Sequence, residues 1–331
     1  MTDIFDDLKA EYEQLDAVLA GLTPAEWSHA SAAEGWTVSD VVLHLAQSEE
    51  RAAASLAGED VTIRRRPAAD GVPGRESHGA PDRESDGAPG RESDGAPGRD
   101  GGAPGRESGG VLGRDGGPAG RDGGASGGES GDGVLSREPV TNGASGRESG
   151  RGESGRGVDA AADARVAAQR GIAPADLLAR WRRAAFAIPD ALRAQPKGTR
   201  LSWVAIPLSP ATLATTRLAE HWAHAYDITA PLGIPYPDTA RLRHIAWLGH
   251  RTLPYAFDVA GIEGGPVYCE LTSPDGELWR FGDPAAASTV TGPAADFCRV
   301  GAHRLAPADS TLKATGPYGA KALAVLRNYA L

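Results

Sequence analysis

From about Pro67 to Gly157 the chain is built on a decaying octad. The units run Gly74-Arg-Glu-Ser-His-Gly-Ala-Pro81, Asp82-Arg-Glu-Ser-Asp-Gly-Ala-Pro89 and Gly90-Arg-Glu-Ser-Asp-Gly-Ala-Pro97, then shrink to shorter Gly-Arg-Asp-Gly pieces. A repeat can signal a solenoid, but each solenoid unit must bury an apolar face against the next. These octads offer only Ala and Pro, so nothing offsets the backbone entropy lost on ordering. The tract, residues 67–157, is expected to be a disordered insertion, and its mixed charges predict a flexible coil rather than a self-repelling rod. His78 within it has no partner and is set aside as a ligand. Any core must come from the residues on either side.

Those residues read first as helices. Ile4, Leu8, Tyr12, Leu15, Leu19 and Leu22 recur at spacings of three and four, which makes one apolar stripe. Thr23-Pro24-Ala-Glu26 has the form of a short capped turn with Pro at its first helical position. Thr37, with Asp40 three residues on, predicts the N-cap of a helix that turns Val38, Val41, Val42, Leu45 and Ala46 inward and ends near Gly58. Ala173-Pro174 opens a third helix with Leu177, Leu178, Trp181, Ala185 and Ile188 on its face. Ser209-Pro210 opens a fourth, which runs to about Ala230 before Pro231 and Gly233. Four long helices imply a bundle, formed by residues 1–66 and 158–236 across the insertion.

From Pro237 the pattern changes. A helix over about 239–257 precedes extended runs at 266–272, 277–281 and 287–290, and Ser273-Pro274-Asp275-Gly276 predicts a hairpin turn between the first two. Gly292-Pro293 opens a helix through Arg299, and residues 320–329 read as a closing helix. Residues 237–331 are thus expected to form a small α+β domain.

The formal net charge of -10 and sequence pI near 5.3 exclude a nucleic-acid footprint, which needs a basic patch or stripe. No apolar run approaches the roughly 20 residues that span a bilayer. The N-terminal Met1-Thr-Asp-Ile-Phe-Asp-Asp is acidic and amphipathic, unlike a signal peptide. Cys269 and Cys298 suit a reducing compartment and buried positions better than a disulfide framework. The expectation is a cytoplasmic protein with neither nucleic acid nor membrane as partner.

Chemistry concentrates in the fourth helix, in Arg217-Leu-Ala-Glu220-His-Trp-Ala-His224-Ala-Tyr-Asp227. The i,i+4 spacing puts Glu220 and His224 on one face. His44, from a facing helix, would complete a set of two imidazoles and one carboxylate, which suits a catalytic zinc with its fourth position open. Each part has a plainer reading. Glu220 and His224 could be a solvated pair, and His44, beside Val41 and Leu45, a core histidine. Against this, Arg217, Glu220, His224 and Asp227 share a stripe too charged to face a bundle interior unless paired or metal-bound. Leu218, Ala219, Trp222 and Ala225 leave the helix no alternative solvent face. His221 points about 100° away from Glu220 and is the reserve ligand. Trp36 and Trp222 read as packing residues.

The Gly35-Trp-Thr-Val38 segment leading to His44, together with the spacing of Arg217, Glu220, Trp222, His224 and Asp227, resembles the mycothiol-dependent maleylpyruvate isomerase family within the DinB-like superfamily. An actinobacterial branch described as metal-binding is the nearer likeness, and Val290-Thr-Gly-Pro-Ala-Ala-Asp-Phe-Cys298 resembles that family's C-terminal α/β domain. The resemblance implies a DinB-like four-helix bundle and a divalent metal, normally zinc, held by His44, Glu220 and His224. It also implies mycothiol or a similar small thiol as cosubstrate, and a small electrophilic substrate. The expected activity is thiol-dependent isomerisation or S-transfer, with a non-catalytic metal-binding protein and a metal-assisted hydrolase using Asp227 as base as the alternatives. Asp227 would orient a ligand imidazole. Arg217 would pair with Asp227 or Glu220, or meet a substrate carboxylate. Arg251, Arg299 and Arg304 are further candidates for an acidic substrate.

Overall fold

The computed structural model describes residues 3–62, 153–204 and 206–328, with side chains from residue 160 onward in the second segment. The octad tract as far as residue 152, with its expected disorder, and His78 lie outside them. Helix α1 (Ile4–Gly21) is capped by Asp3, whose side chain accepts from Phe5 N, and it buries Leu8, Tyr12, Leu15 and Leu19. α2 (Pro24–Trp27) and α3 (Val38–Leu56) each open on a reciprocal capping box, Thr23 with Glu26 and Thr37 with Asp40, as their sequences predict. α4 (Glu153–Ala167) was not expected, and it begins inside the C-terminal edge of the stretch read as unstructured. Among its described side chains, Ala162 and Val166 are the buried hydrophobics.

The third helix ends earlier than expected. α5 (Pro174–Ala185) gives way to α6 (Ile188–Arg193), with Pro189 in the first turn of the new helix. A continuous helix would set the Pro189 ring against the carbonyl of Ala185, and the missing N–H could not bond to it. α7 (Pro210–Leu232) has Ser209 as N-cap and Gly233 in the left-handed conformation at its C-terminal end. α1 packs on α7 and α5, and α3 packs on α5 and α7, around Tyr12, Trp181, Leu45 and Leu213.

The helix expected over 239–257 is likewise two, α8 (Leu242–Arg251) and α9 (Leu253–Ala260), broken ahead of Pro254 for the same reason. A four-stranded sheet follows, of β1 (Val267–Thr272), β2 (Leu278–Phe281), β3 (Ser288–Pro293) and, later, β4 (Lys313–Thr315), in the order β2-β1-β3-β4. β1 and β2 form the expected antiparallel hairpin, while β1 and β3 are parallel. β3 runs directly into α10 (Ala294–Gly301). β4 was not foreseen: three residues carry no alternation to read, and they become a strand by pairing with Thr289–Thr291. The closing helix, α11 (Gly316–Val325), starts and stops about four residues before the expected one. Cys269 and Cys298 are free and buried, and burial pushes the Cys269 thiol up to about 12. Among the described residues no helix is long and apolar enough to cross a membrane.

Candidate metal centre

α3 and α7 lie against each other, and their facing turns bring His44, Glu220 and His224 together, with one ligand atom of each within 4.8 Å of the others. His44 Nε2 is 2.9 Å from Glu220 Oε1, and the two imidazole rings meet edge-on with centroids 4.9 Å apart. All three side chains are partly buried, 15 % exposed for each histidine and 28 % for Glu220. Burial lowers the pKa of His44, which keeps the ring neutral and able to donate a lone pair. Burial alone would raise the Glu220 carboxyl, but Arg217 and His44 overcome it and hold the group well below its usual range. Spacing brought Glu220 and His224 forward together and His44 entered as a lone histidine on a facing helix; the fold sets the three side by side.

Each is held by a neighbour. His224 Nδ1 lies 2.9 Å from Asp227 Oδ2, so an Nδ1–H donated to that carboxylate leaves Nε2 unprotonated and turned to the cluster. Asp227 is fully buried and also accepts from Arg304 Nε at 2.7 Å and Nη2 at 2.5 Å. Arg304 comes from the turn after α10, where His303 adopts φ 58. Glu220 accepts from the Ser48 hydroxyl at 3.0 Å and pairs with Arg217 Nη2 at 2.8 Å. Arg217 is fully buried under the Trp203 ring and contacts a second carboxylate, Glu49, through Nε at 3.2 Å. Burial pushes Glu49 up to about 7 despite that arginine. Arg217 thus pairs with Glu220 and Glu49, and not with Asp227.

Several sequence expectations change here. His221 is no reserve ligand. It is fully buried on another side of α7, with Trp181 Nε1 donating to its Nε2 at 3.1 Å and its Nδ1 3.0 Å from the Arg217 carbonyl. Burial and the nearby Arg217 drop its pKa to about 3. Trp36 is more than a packing residue: its ring lies 5.1 Å from that of His44 and stacks on His224 at 6.4 Å, and its Nε1 donates to Asp163. Trp222 packs as expected, buried under Arg299. Two of the three arginines proposed for an acidic substrate are already paired, and the third, Arg251, is exposed. Arg251 lies over the Trp247 ring, Arg299 pairs with Asp238, and Arg304 is bound to Asp227. Asp227, enclosed by His224 and Arg304, is no free general base, which removes the main support for the hydrolase alternative.

Sequence reasoning missed Ser48, Glu49, Arg51 and Arg165. Ser48 and Arg51 were legible, four and seven residues past His44 on the same helical face. Arg165 lies beyond the octad tract on a helix with no apolar pattern, and no local signal marks it. With His44, Gln47 and Ser48, both arginines line one narrow cleft beside the centre.

A helix-rich protein with a small mixed sheet and a His-Glu-His cluster across two helices is the class this fold and site define. Its family is identifiable. The model described as "Mycothiol maleylpyruvate isomerase N-terminal domain" matches residues 8–99 and 134–229, and the chain belongs to that family. Uncharacterized proteins of two Mycobacterium tuberculosis strains, CDC 1551 / Oshkosh and ATCC 25618 / H37Rv, are 39% identical over 161 residues, which is 48% of this chain. The match spans 63% of those relatives' length, less than two thirds. The crystal structure of a mycothiol-dependent maleylpyruvate isomerase aligns with a TM-score of 0.46 at 13% identity, over 95% of this chain and 96% of that one. A histidine-to-alanine mutant of that enzyme aligns with 0.45 at 12% identity, over 94% and 98%.

Proposed function

We propose that this protein is a zinc- and thiol-dependent isomerase or S-transferase acting on a small electrophilic substrate, with His44, Glu220 and His224 as the metal ligands. The observation that carries this is the convergence of two imidazoles and one carboxylate, with Asp227 fixing the outward nitrogen of one imidazole. Two nitrogens and one oxygen with a side left open suit a catalytic zinc, and a carboxylate on the far nitrogen of a ligand histidine is the usual outer support. Family membership supports mycothiol, or a similar small thiol, as the cosubstrate. On this reading residues 1–66 and 158–236 make a DinB-like four-helix bundle, and 237–331 a separate α+β domain that sends Arg304 back to Asp227.

The metal, when bound, would hold the thiol sulfur as its thiolate for addition to an electrophilic carbon. Addition, bond rotation and departure give isomerisation, whereas retention of the sulfur gives a conjugate. The residues of the chain do the rest. Arg217 and Ser48 keep Glu220 ionised and aimed at the centre. Asp227 and Arg304 keep His224 in one tautomer. Trp36, packed against both imidazoles, keeps water from one side of the cluster.

The test is metal analysis of purified protein together with thiol binding, read as a change in the visible spectrum of the cobalt-substituted form. Wild type should carry about one metal per chain and respond to thiol, and His44→Ala should lose both. A variant equal to wild type in both measurements would remove the three-ligand site.

A further inference from the structure

The centre leaves little room for a ligand. Trp36 packs against both imidazoles, Asp227 and Arg304 stand behind His224, and Arg217 is paired with Glu220. Beside His44 the cleft between α3 and α4, walled by Gln47, Ser48, Arg51 and Arg165, has a volume of about 10 Å³, which holds about one water. Anything larger reaches the cluster by this route only if one wall moves.

The two walls are held very differently. α3 is fixed in the core by Val38, Val41, Val42, Leu45 and Ala46, whereas the described side chains of α4 bury only Ala162 and Val166. Two hydrogen bonds latch α4 to the rest: Gln47 Nε2 donates to the Arg165 carbonyl at 3.0 Å, and Trp36 Nε1 donates to the exposed Asp163 carboxylate at 2.9 Å. Elements with so few buried apolar contacts are the ones that open locally.

The closed cleft also carries costs that opening relieves. Gln47 Oε1 is buried there with no hydrogen-bond partner among the described residues, and separation of the helices returns it to water. Arg51 and Arg165 face the same narrow space, and Arg165 is the like charge that acts most strongly on Arg51. The C-terminal end of α4, by contrast, is anchored. Arg170 Nε donates to Asp40 at 2.9 Å, Arg180 Nη1 donates to Gln169 Oε1 at 2.7 Å, and Gly171, at φ 92, turns the chain into α5. A helix fixed at one end and lightly latched along its length pivots at the fixed end.

We propose that α4 is a lid over the His44–Glu220–His224 cluster, swinging about residues 168–171 to admit ligands through the α3–α4 cleft and closing behind them. Its service to a metal centre rests on the reading above, whereas the hinged helix stands without it.

The test uses Gln47→Ala/Asp163→Ala, which removes both latch bonds and no metal ligand. The first arm takes metal-free protein and measures the rate at which diethyl pyrocarbonate modifies each histidine, read by peptide mass spectrometry. Loss of two hydrogen bonds should raise the open population, and the rate at His44 with it, about 10- to 30-fold. His221, fully buried in the core, and His29, exposed, are the internal controls, and neither rate should change. An unchanged rate at His44, or an equal increase at His221, overturns the proposal. The second arm follows cobalt uptake and release by visible absorbance. A lid accelerates both by a similar factor and leaves the dissociation constant unchanged. Faster release alone would mean that the latch supports the ligands instead of gating them, and would overturn the proposal as well. Selective labelling of His44 in a protein that takes up no cobalt would sink the metal centre and leave the lid standing.

Discussion

Asp227→Asn is the sharpest perturbation of the centre, because it changes one oxygen into an NH2 and leaves the ligands untouched. Both neighbours of this buried carboxylate are donors: His224 Nδ1 at 2.9 Å on one side, Arg304 Nε and Nη2 at 2.7 and 2.5 Å on the other. A carboxylate serves both. Oδ2 accepts from both His224 and Arg304 Nη2 and Oδ1 from Arg304 Nε, so an amide NH2 at the first position opposes both neighbours and at the second opposes Arg304 Nε alone. If the new amide turns its oxygen to Arg304, His224 loses the acceptor that holds its tautomer, and the imidazole can present Nε2–H to the metal. Loss of such outer partners costs about 10- to 100-fold in metal affinity, or about 1.4–2.8 kcal/mol. The fold loses less, about 1–2 kcal/mol, since the Arg304 side chain is 24 % exposed and water replaces part of what it loses. Competition with a chelator gives the metal affinity, and thermal unfolding of the metal-free protein gives the stability. Arg304→Gln is the companion, expected to lower stability comparably while costing under about 10-fold in metal affinity, because His224 keeps its acceptor. Asp227→Ala removes the acceptor in either case, and an Asp227→Ala protein that binds zinc within about threefold of wild type would refute the role given to this residue.

Other outcomes follow from the same contacts. Glu220→Gln removes a ligand and half of the counter-charge on buried Arg217, so it should abolish metal uptake and also lower the melting temperature of the metal-free protein. Full zinc content in that variant would refute the ligand assignment. Glu49 has its pKa raised by burial from 4.5 to about 7, so the folded state holds this proton more tightly than the unfolded chain. Its contribution is present below pH 4.5 and is lost as pH rises through about 7, by about 3 kcal/mol at most. Glu49→Gln cannot ionise, so its melting temperature relative to wild type should rise between pH 5 and pH 8, and a constant or falling difference would contradict the argument. Gly316, at φ 76, would bring a Cβ to 2.1 Å from the Ala287 carbonyl oxygen, so Gly316→Ala should destabilise by more than about 1 kcal/mol in a denaturant titration.

The reach of the sequence differs from element to element. α1, α3 and α7 were legible from signals that are local: the apolar stripe from Leu8 to Leu19, Val38 to Ala46 after the Thr37 cap, and Ser209-Pro210 ahead of Leu213. The hairpin was legible in Ser273-Pro274-Asp275-Gly276 for the same reason. The breaks before Pro189 and Pro254 were in the text too, but an apolar periodicity that runs on past a proline hides them. β4 and α4 were not there to read. Lys313–Thr315 is a strand because β3 presents an open edge to it, and α4 stays on α3 through Gln47, Trp36 and Val166 rather than by its own pattern.

The candidate site divides in the same way. Spacing along one helix placed Glu220 with His224, and charge on a stripe with no solvent face marked Arg217 and Asp227 as needing partners, because helical periodicity is a property of the chain itself. Which charge meets which is a property of packing between segments remote in sequence. Only the tertiary structure assigned Arg304 to Asp227, gave Glu49 and Glu220 jointly to Arg217, withdrew His221 into the core, and brought Arg51 and Arg165 to the cleft beside His44.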